Sequence, residues 1–174
     1  MTNQIRQINF RYSAEQDRMT LSFNTTASAG FAFSFTRRFV KLLWRGLRQS
    51  LDKIPGVAGH MEPEAKRAVV AFEGRKSVDA SDFSKNYEGD DLVYPAGEEP
   101  KLATGLKISE IEGGTTRITI KCIDGTSFDF NLNRKVLFSF CHLLASCSRK
   151  TGWDLGLRLL DDEATAPAGK VQVH

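Results

Sequence analysis

Cysteine and histidine are scarce in this chain, three of each in 174 residues, and the scarcity narrows the chemistry open to it. Cys122, Cys141 and Cys147 are an odd number. Cys141 and Cys147 fall six apart on a predicted helix, on different sides of it, where they cannot easily pair. No Cys-x-x-Cys or Cys/His spacing suits zinc, so the thiols read as reduced and structural. His60 lies in a Gly-rich connector and His174 is terminal. His142 adjoins Cys141, but neighbours on a helix point about 100° apart and make no nucleophile–base pair.

Other absences point the same way. Paired acids occur at Asp90-Asp91, Glu98-Glu99 and Asp161-Asp162, all in segments without a scaffold strand, and read as solvated loop charge. Neither Gly-x-x-x-x-Gly-Lys nor Gly-x-Gly-x-x-Gly occurs, which leaves Gly113-Gly114 as a turn rather than a phosphate loop. No run of about 18 apolar residues is present to span a bilayer. The start, Met1-Thr-Asn-Gln-Ile-Arg-Gln-Ile8, lacks the pattern of a signal peptide. The expectation is a cytoplasmic protein without metal or cofactor, and not an enzyme.

What the chain does contain is itself, twice. Arg18-Met-Thr-Leu-Ser-Phe-Asn24 recurs as Arg117-Ile-Thr-Ile-Lys-Cys-Ile123, and Phe31-Ala-Phe-Ser-Phe-Thr-Arg-Arg-Phe-Val40 recurs as Phe128-Asp-Phe-Asn-Leu-Asn-Arg-Lys-Val-Leu137. The offsets are 99 and 97 residues, so the copies differ by two residues in one loop. In the first copy, Ile8–Tyr12, Arg18–Asn24 and Phe31–Phe35 alternate with period two and predict three antiparallel strands. Such a sheet with one apolar face needs a lid. Thr36 caps a helix over 37–54 whose stripe is Val40, Leu43, Leu47, Leu51 and Ile54, ended by Pro55-Gly56.

The second copy repeats the plan. Leu106 and Ile108 open it, and Ile118, Ile120 and Cys122 face inward on the next strand. Asp124-Gly125 turns into a third strand with Phe128, Phe130 and Leu132. Asn133 caps a helix with Val136, Leu137, Phe140, Leu144 and Cys147 on its stripe, and Leu155, Leu157 and Leu159 suggest a short closing strand. Between the copies, a helix is expected over 63–75, followed by an acidic segment over 78–101 packed along the surface. The fold class is α+β: two pseudo-repeated βββα units with antiparallel sheets, packed as an internal pseudo-dimer. One domain over 1–160 holds repeat one (5–54), the connecting helix and acidic segment (55–102) and repeat two (103–160), with 161–174 a flexible tail.

Asp17-Arg18, Phe35-Thr-Arg-Arg38, Leu43-Trp44, Ala80-Ser-Asp-Phe-Ser84, Gly97-Glu-Glu-Pro100 and Gly152-Trp-Asp-Leu155 follow one another in an order that resembles a group of uncharacterised proteobacterial proteins of similar length. Phe31-Ala-Phe33 departs from that group in being more aromatic. The resemblance covers most of the chain and implies no chemistry. In topology alone, duplicated sheet-plus-helix units resemble those of PUR-type and Whirly-type single-strand nucleic-acid binders, whose signatures are missing here.

Net charge is +3 but unevenly spread: +7 over residues 1–77, −6 over 78–112 and +2 over 113–174. The sharpest functional signal is the row Arg37, Lys41, Arg45 and Arg48, spaced four, four and three apart on one helix face with Arg38 beside it. Such a row suits phosphates, but reads first as the solvated face of an amphipathic helix or a docking site for the acidic 78–112 segment. The equivalent positions in the second helix are Arg134, Phe138, His142 and Ala145, so one copy's face is basic and the other's largely apolar. Phe138, His142 and Leu143 are therefore the candidate protein-contact face, covered by the helix at 63–75, the loop at 78–101 or a second subunit. The outward sheet residues (Thr20, Ser22, Asn24, Ser34, Thr119, Lys121, Asp129, Asn131) are small and polar, a poor stacking platform but an acceptable partner surface. The favoured expectation is a non-enzymatic interaction or assembly module acting on a protein partner or as a homodimer. The alternative is a nucleic-acid binder working through the basic helix face.

Overall fold

The computed structural model describes residues 4–53 and 91–158. The helix expected over 63–75, the acidic stretch up to residue 90 and the tail over 161–174 lie outside the described residues. The element order is β1 (Ile5–Ser13), β2 (Arg18–Thr25), β3 (Gly30–Phe35), α1 (Arg37–Asp52), then β4 (Lys101–Ile111), β5 (Thr115–Cys122), β6 (Ser127–Leu132) and α2 (Arg134–Ser148). These are two βββα units. Each is an antiparallel meander, and the six strands form one sheet in chain order. The units join through a parallel pairing of β3 and β4 that is only two residues long, Phe33 with Lys101 and Ser34 with Leu102, which makes the sheet mixed.

Each helix begins where the sequence puts its cap. Thr36 Oγ1 accepts from the Phe39 N–H at 3.1 Å, and Asn133 Oδ1 accepts from the Val136 N–H at 2.9 Å. The caps match because the repeat places a strand end, one polar residue and two cations in the same order twice.

The sheet folds back on itself. In a flat sheet with about 4.8 Å between strands, β2 and β6 would lie about 19 Å apart. The Phe23 ring on β2 instead lies 5.1 Å from Phe130 on β6, and Phe33 on β3 lies 5.6 Å from Phe128. The two meanders therefore face each other across a shared aromatic core with Met19, Leu21, Ile118, Ile120 and Leu132. Burying each such side chain contributes about 1.5–3 kcal/mol.

Each helix serves the other unit's sheet. α1 packs chiefly on β4, and α2 packs chiefly on β1. α1 comes close to β4 at Gly46, where a Cβ would lie 2.6 Å from Ile108 Cδ1. A helical glycine costs about 1 kcal/mol relative to alanine, and its use here is to let backbone and strand come together. On the other side, Phe140 of α2 meets Phe10 of β1 at 5.2 Å and Phe130 of β6 at 6.5 Å, so α2 bridges the two edge strands. Covering an edge in this way blunts pairing with other chains.

Two expectations need correction or extension. Leu155 and Leu157 do not form a strand: Gly152, Asp154 and Gly156 all take positive φ (69°, 52° and 59°), so the chain turns repeatedly and buries Trp153 and Leu157 as coil. The described end of the acidic segment does pack on the body. The Val93 N–H donates to the Ser28 carbonyl at 2.9 Å, the Gly30 N–H donates to the Val93 carbonyl at 2.8 Å, and the Tyr94 ring fills the space a Cβ on Gly30 would need. That contact is at the start of β3, whereas α1 follows its end.

Candidate functional site

The basic row lies on the outer face of α1. Its apolar stripe, Phe39, Val40, Leu43, Leu47 and Leu51, is buried, which forces Arg37, Arg38, Lys41 and Arg45 into solvent. Among the described residues none of these four is in an ion pair, whereas Lys53 pairs with Glu110 at 3.9 Å and Lys101 with Asp124. Arg48, expected in the same row, is half-buried and turns toward α2. Its charge opposes the effect of burial on the Cys141 thiol, which is nonetheless pushed up to about 12.

The placement of Arg37 and Arg38 runs against helix stability. The first turn of α1 holds Arg37 and Arg38 and no acid. The N-terminal end of a helix dipole is positive, so cations there are disfavoured where acids would gain about 0.3–1 kcal/mol. Leu42 sits among them on the same surface and is 45% exposed, a residue the basic pattern alone did not single out.

At the head of the row, the two repeats are tied together. Trp153 Nε1 donates to Asp17 Oδ1 at 2.6 Å, and the Tyr12 hydroxyl donates to the same oxygen at 2.8 Å. The Tyr12 and Trp153 rings meet edge to face at 5.6 Å. Those hydrogen bonds hold the Asp17 carboxyl below its ordinary range, with Arg18 and Arg37 adding to the effect. Asp17-Arg18 and Gly152-Trp-Asp-Leu155 were separate short motifs in the sequence, 136 residues apart at their contact. Here they form one junction beside the entry to α1, because Met19 pairs with Phe35 at the adjoining ends of β2 and β3.

The protein-contact face expected on α2 is altered by the structure. Phe138 is 0% exposed and belongs to the core of its own chain. His142 and Leu143 remain half-buried. Burial, and then the charge of Arg149, lower the His142 pKa and favour its neutral form. On the sheet, Asn24 is not an outward group: it is buried, and its Nδ2 donates to Gln7 Oε1 at 2.8 Å.

For chemistry the described residues offer little. Cys122, Cys141 and Cys147 are buried and unpaired, and burial raises all three thiols, so they are held as thiols rather than nucleophilic thiolates. Among the described residues, no group of three His, Cys, Asp or Glu side chains is placed to hold a metal ion, and no helix is long and apolar enough to cross a membrane. An open cleft of about 540 Å³ beside the end of α2 is lined by Arg149, Asp154 and Leu157 among others. No family model, curated protein or solved structure matches the chain.

Proposed function

We propose that this protein is a non-enzymatic binding module whose working surface is the outer face of α1, and that its ligand is a nucleic-acid backbone. The observation that carries the reading is the row Arg37, Arg38, Lys41 and Arg45, exposed and in no ion pair among the described residues, with Asp17 the acid near Arg37 at its head. Cations that oppose the helix dipole cost stability, which is the mark of a surface kept for a ligand rather than for the fold. Phosphates spaced along a strand match a row of cations spaced by one helical turn, about 5.4 Å. Contact through backbone charge implies affinity without strong sequence preference.

The test is a fluorescence-anisotropy titration of labelled duplex and single-stranded DNA and of RNA across salt. Four phosphate contacts on a duplex give a slope of log K against log salt of about −3.6. A measured slope near that value supports the reading; no binding at low salt overturns it. A second reading, an assembly module acting on a protein partner or as a homodimer, is favoured by Leu42 exposed among the arginines and by Leu143 half-exposed on α2. Light scattering coupled to size exclusion tests its dimer form: a strict monomer removes that form.

A further inference from the structure

Strands β4 and β5 carry a second basic surface. Lys107 pairs across from Thr119, with Arg117 and Lys121 two residues to either side of Thr119 on the same face of β5. All three cations are exposed, none is in an ion pair among the described residues, and Thr119 between them is small and half-buried. The fourth side of this grid is β6, where Asp129 faces Thr119 as the single acid, and Asn131 accepts from Arg117 Nε at 3.3 Å. Three cations against one acid leave the patch a net positive charge.

Its position relative to α1 follows from alternation along the strands. Ile108, Ile118 and Ile120 point to the opposite face, and Ile108 is the residue against which Gly46 of α1 packs. α1 therefore packs on the Ile108 face of β4, while Lys107, Arg117 and Lys121 project from the other face of β4 and β5. The basic face of α1 points away from that contact in turn, so a helix about 10–12 Å thick and a sheet separate the two surfaces. A single straight duplex cannot lie on both.

We infer that the protein bridges two nucleic-acid segments, one on the α1 row and the other on the β4–β5 patch. This rests on the α1 reading above and adds a second occupant of the same chemistry, a phosphate backbone. Charge complementarity selects that occupant: three exposed cations against a single acid, on a small, polar, non-aromatic surface, recognise phosphate rather than bases.

The test uses the full chain with two short duplexes, one labelled with a donor and the other with an acceptor. Energy transfer between them reports bridging, anisotropy of either duplex reports binding, and light scattering reports the oligomeric state. The comparison protein carries Lys107→Gln, Arg117→Gln and Lys121→Gln, surface changes that leave the α1 row intact. The expected result is transfer with the wild-type monomer and its loss to the protein-free level in the variant, which still binds one duplex. Wild-type binding without transfer, or transfer that persists in the variant, overturns the bridging inference and leaves the α1 reading standing. No binding of either duplex by the wild type overturns the α1 reading, and bridging with it.

Discussion

α1 and α2 descend from the same position in the repeat and have been put to opposite uses. Both begin with a polar cap and two cations, and both bury a stripe against the sheet. Lys41 and Phe138 occupy equivalent positions, yet Lys41 is exposed and Phe138 is fully buried. The difference lies in what surrounds them. α2 sits between the edge strands β1 and β6 and is covered on more than one side, so its second face must be apolar. α1 has one covered face, close to β4 at Gly46, which leaves its other face free to carry charge. Duplication supplied two helices, and one structural role sufficed for the fold.

The sharpest way to break this comparison is to truncate the equivalent pair. Phe138→Ala should cost about 3–5 kcal/mol of folding stability, whereas Lys41→Ala should stay within about 0.5 kcal/mol. Urea unfolding of the two variants checks it, and similar losses would mean that the two faces are not in fact used differently. A smaller effect is expected from importing the second helix's residue into the first. Gly46→Leu places a side chain where Ile108 Cδ1 already lies and should destabilise by about 1–3 kcal/mol, read as a lowered melting temperature. A stable variant would show that α1 can stand off from β4.

The junction at Asp17 sharpens the comparison at acid pH. Its carboxyl is held below the ordinary 3.8 by Trp153 first and Tyr12 second. A depressed carboxyl contributes stability that is present above its unfolded pKa and is lost as pH falls through the lower folded value. The urea midpoint of the wild type should therefore fall through the region below about pH 4, and Asp17→Asn should remove that part of the fall. Trp153→Phe keeps the ring and removes the strongest donor, so it should move the same loss to higher pH. An unchanged acid profile in both variants would mean that the junction does not tie repeat two to the entry of α1. The smallest effect belongs to Leu42→Ala, expected within about 0.5 kcal/mol; a loss of ligand affinity larger than its stability change would show that the ligand reaches the apolar edge of the row.

Much of the fold was legible because the pattern was local. Period-two alternation marked Met19, Leu21 and Phe23 as inward, and Thr36 and Asn133 as caps, from neighbours within a few residues. What escaped depended on contacts far apart in sequence. The parallel β3–β4 seam is two residues long and leaves no periodic trace, and the packing of each helix on the other unit's first strand joins residues far apart in the chain. Leu155 and Leu157 kept strand spacing while Gly152 and Gly156 bent the chain out of strand geometry. At the site, helical spacing was enough for Arg37, Arg38, Lys41 and Arg45. It did not show that Arg48 is half-buried, close enough to α2 for its charge to act on Cys141, or that Phe138 is covered within its own chain.

The most direct test of the account is the binding of a short labelled duplex by the wild type and by Arg38→Glu/Lys41→Glu/Arg45→Glu, at low salt, with circular dichroism showing both folded. The account predicts salt-sensitive binding by the wild type and its loss in the variant. Equal binding by the two proteins, or none by the wild type, would contradict the assignment of the α1 face as the working surface.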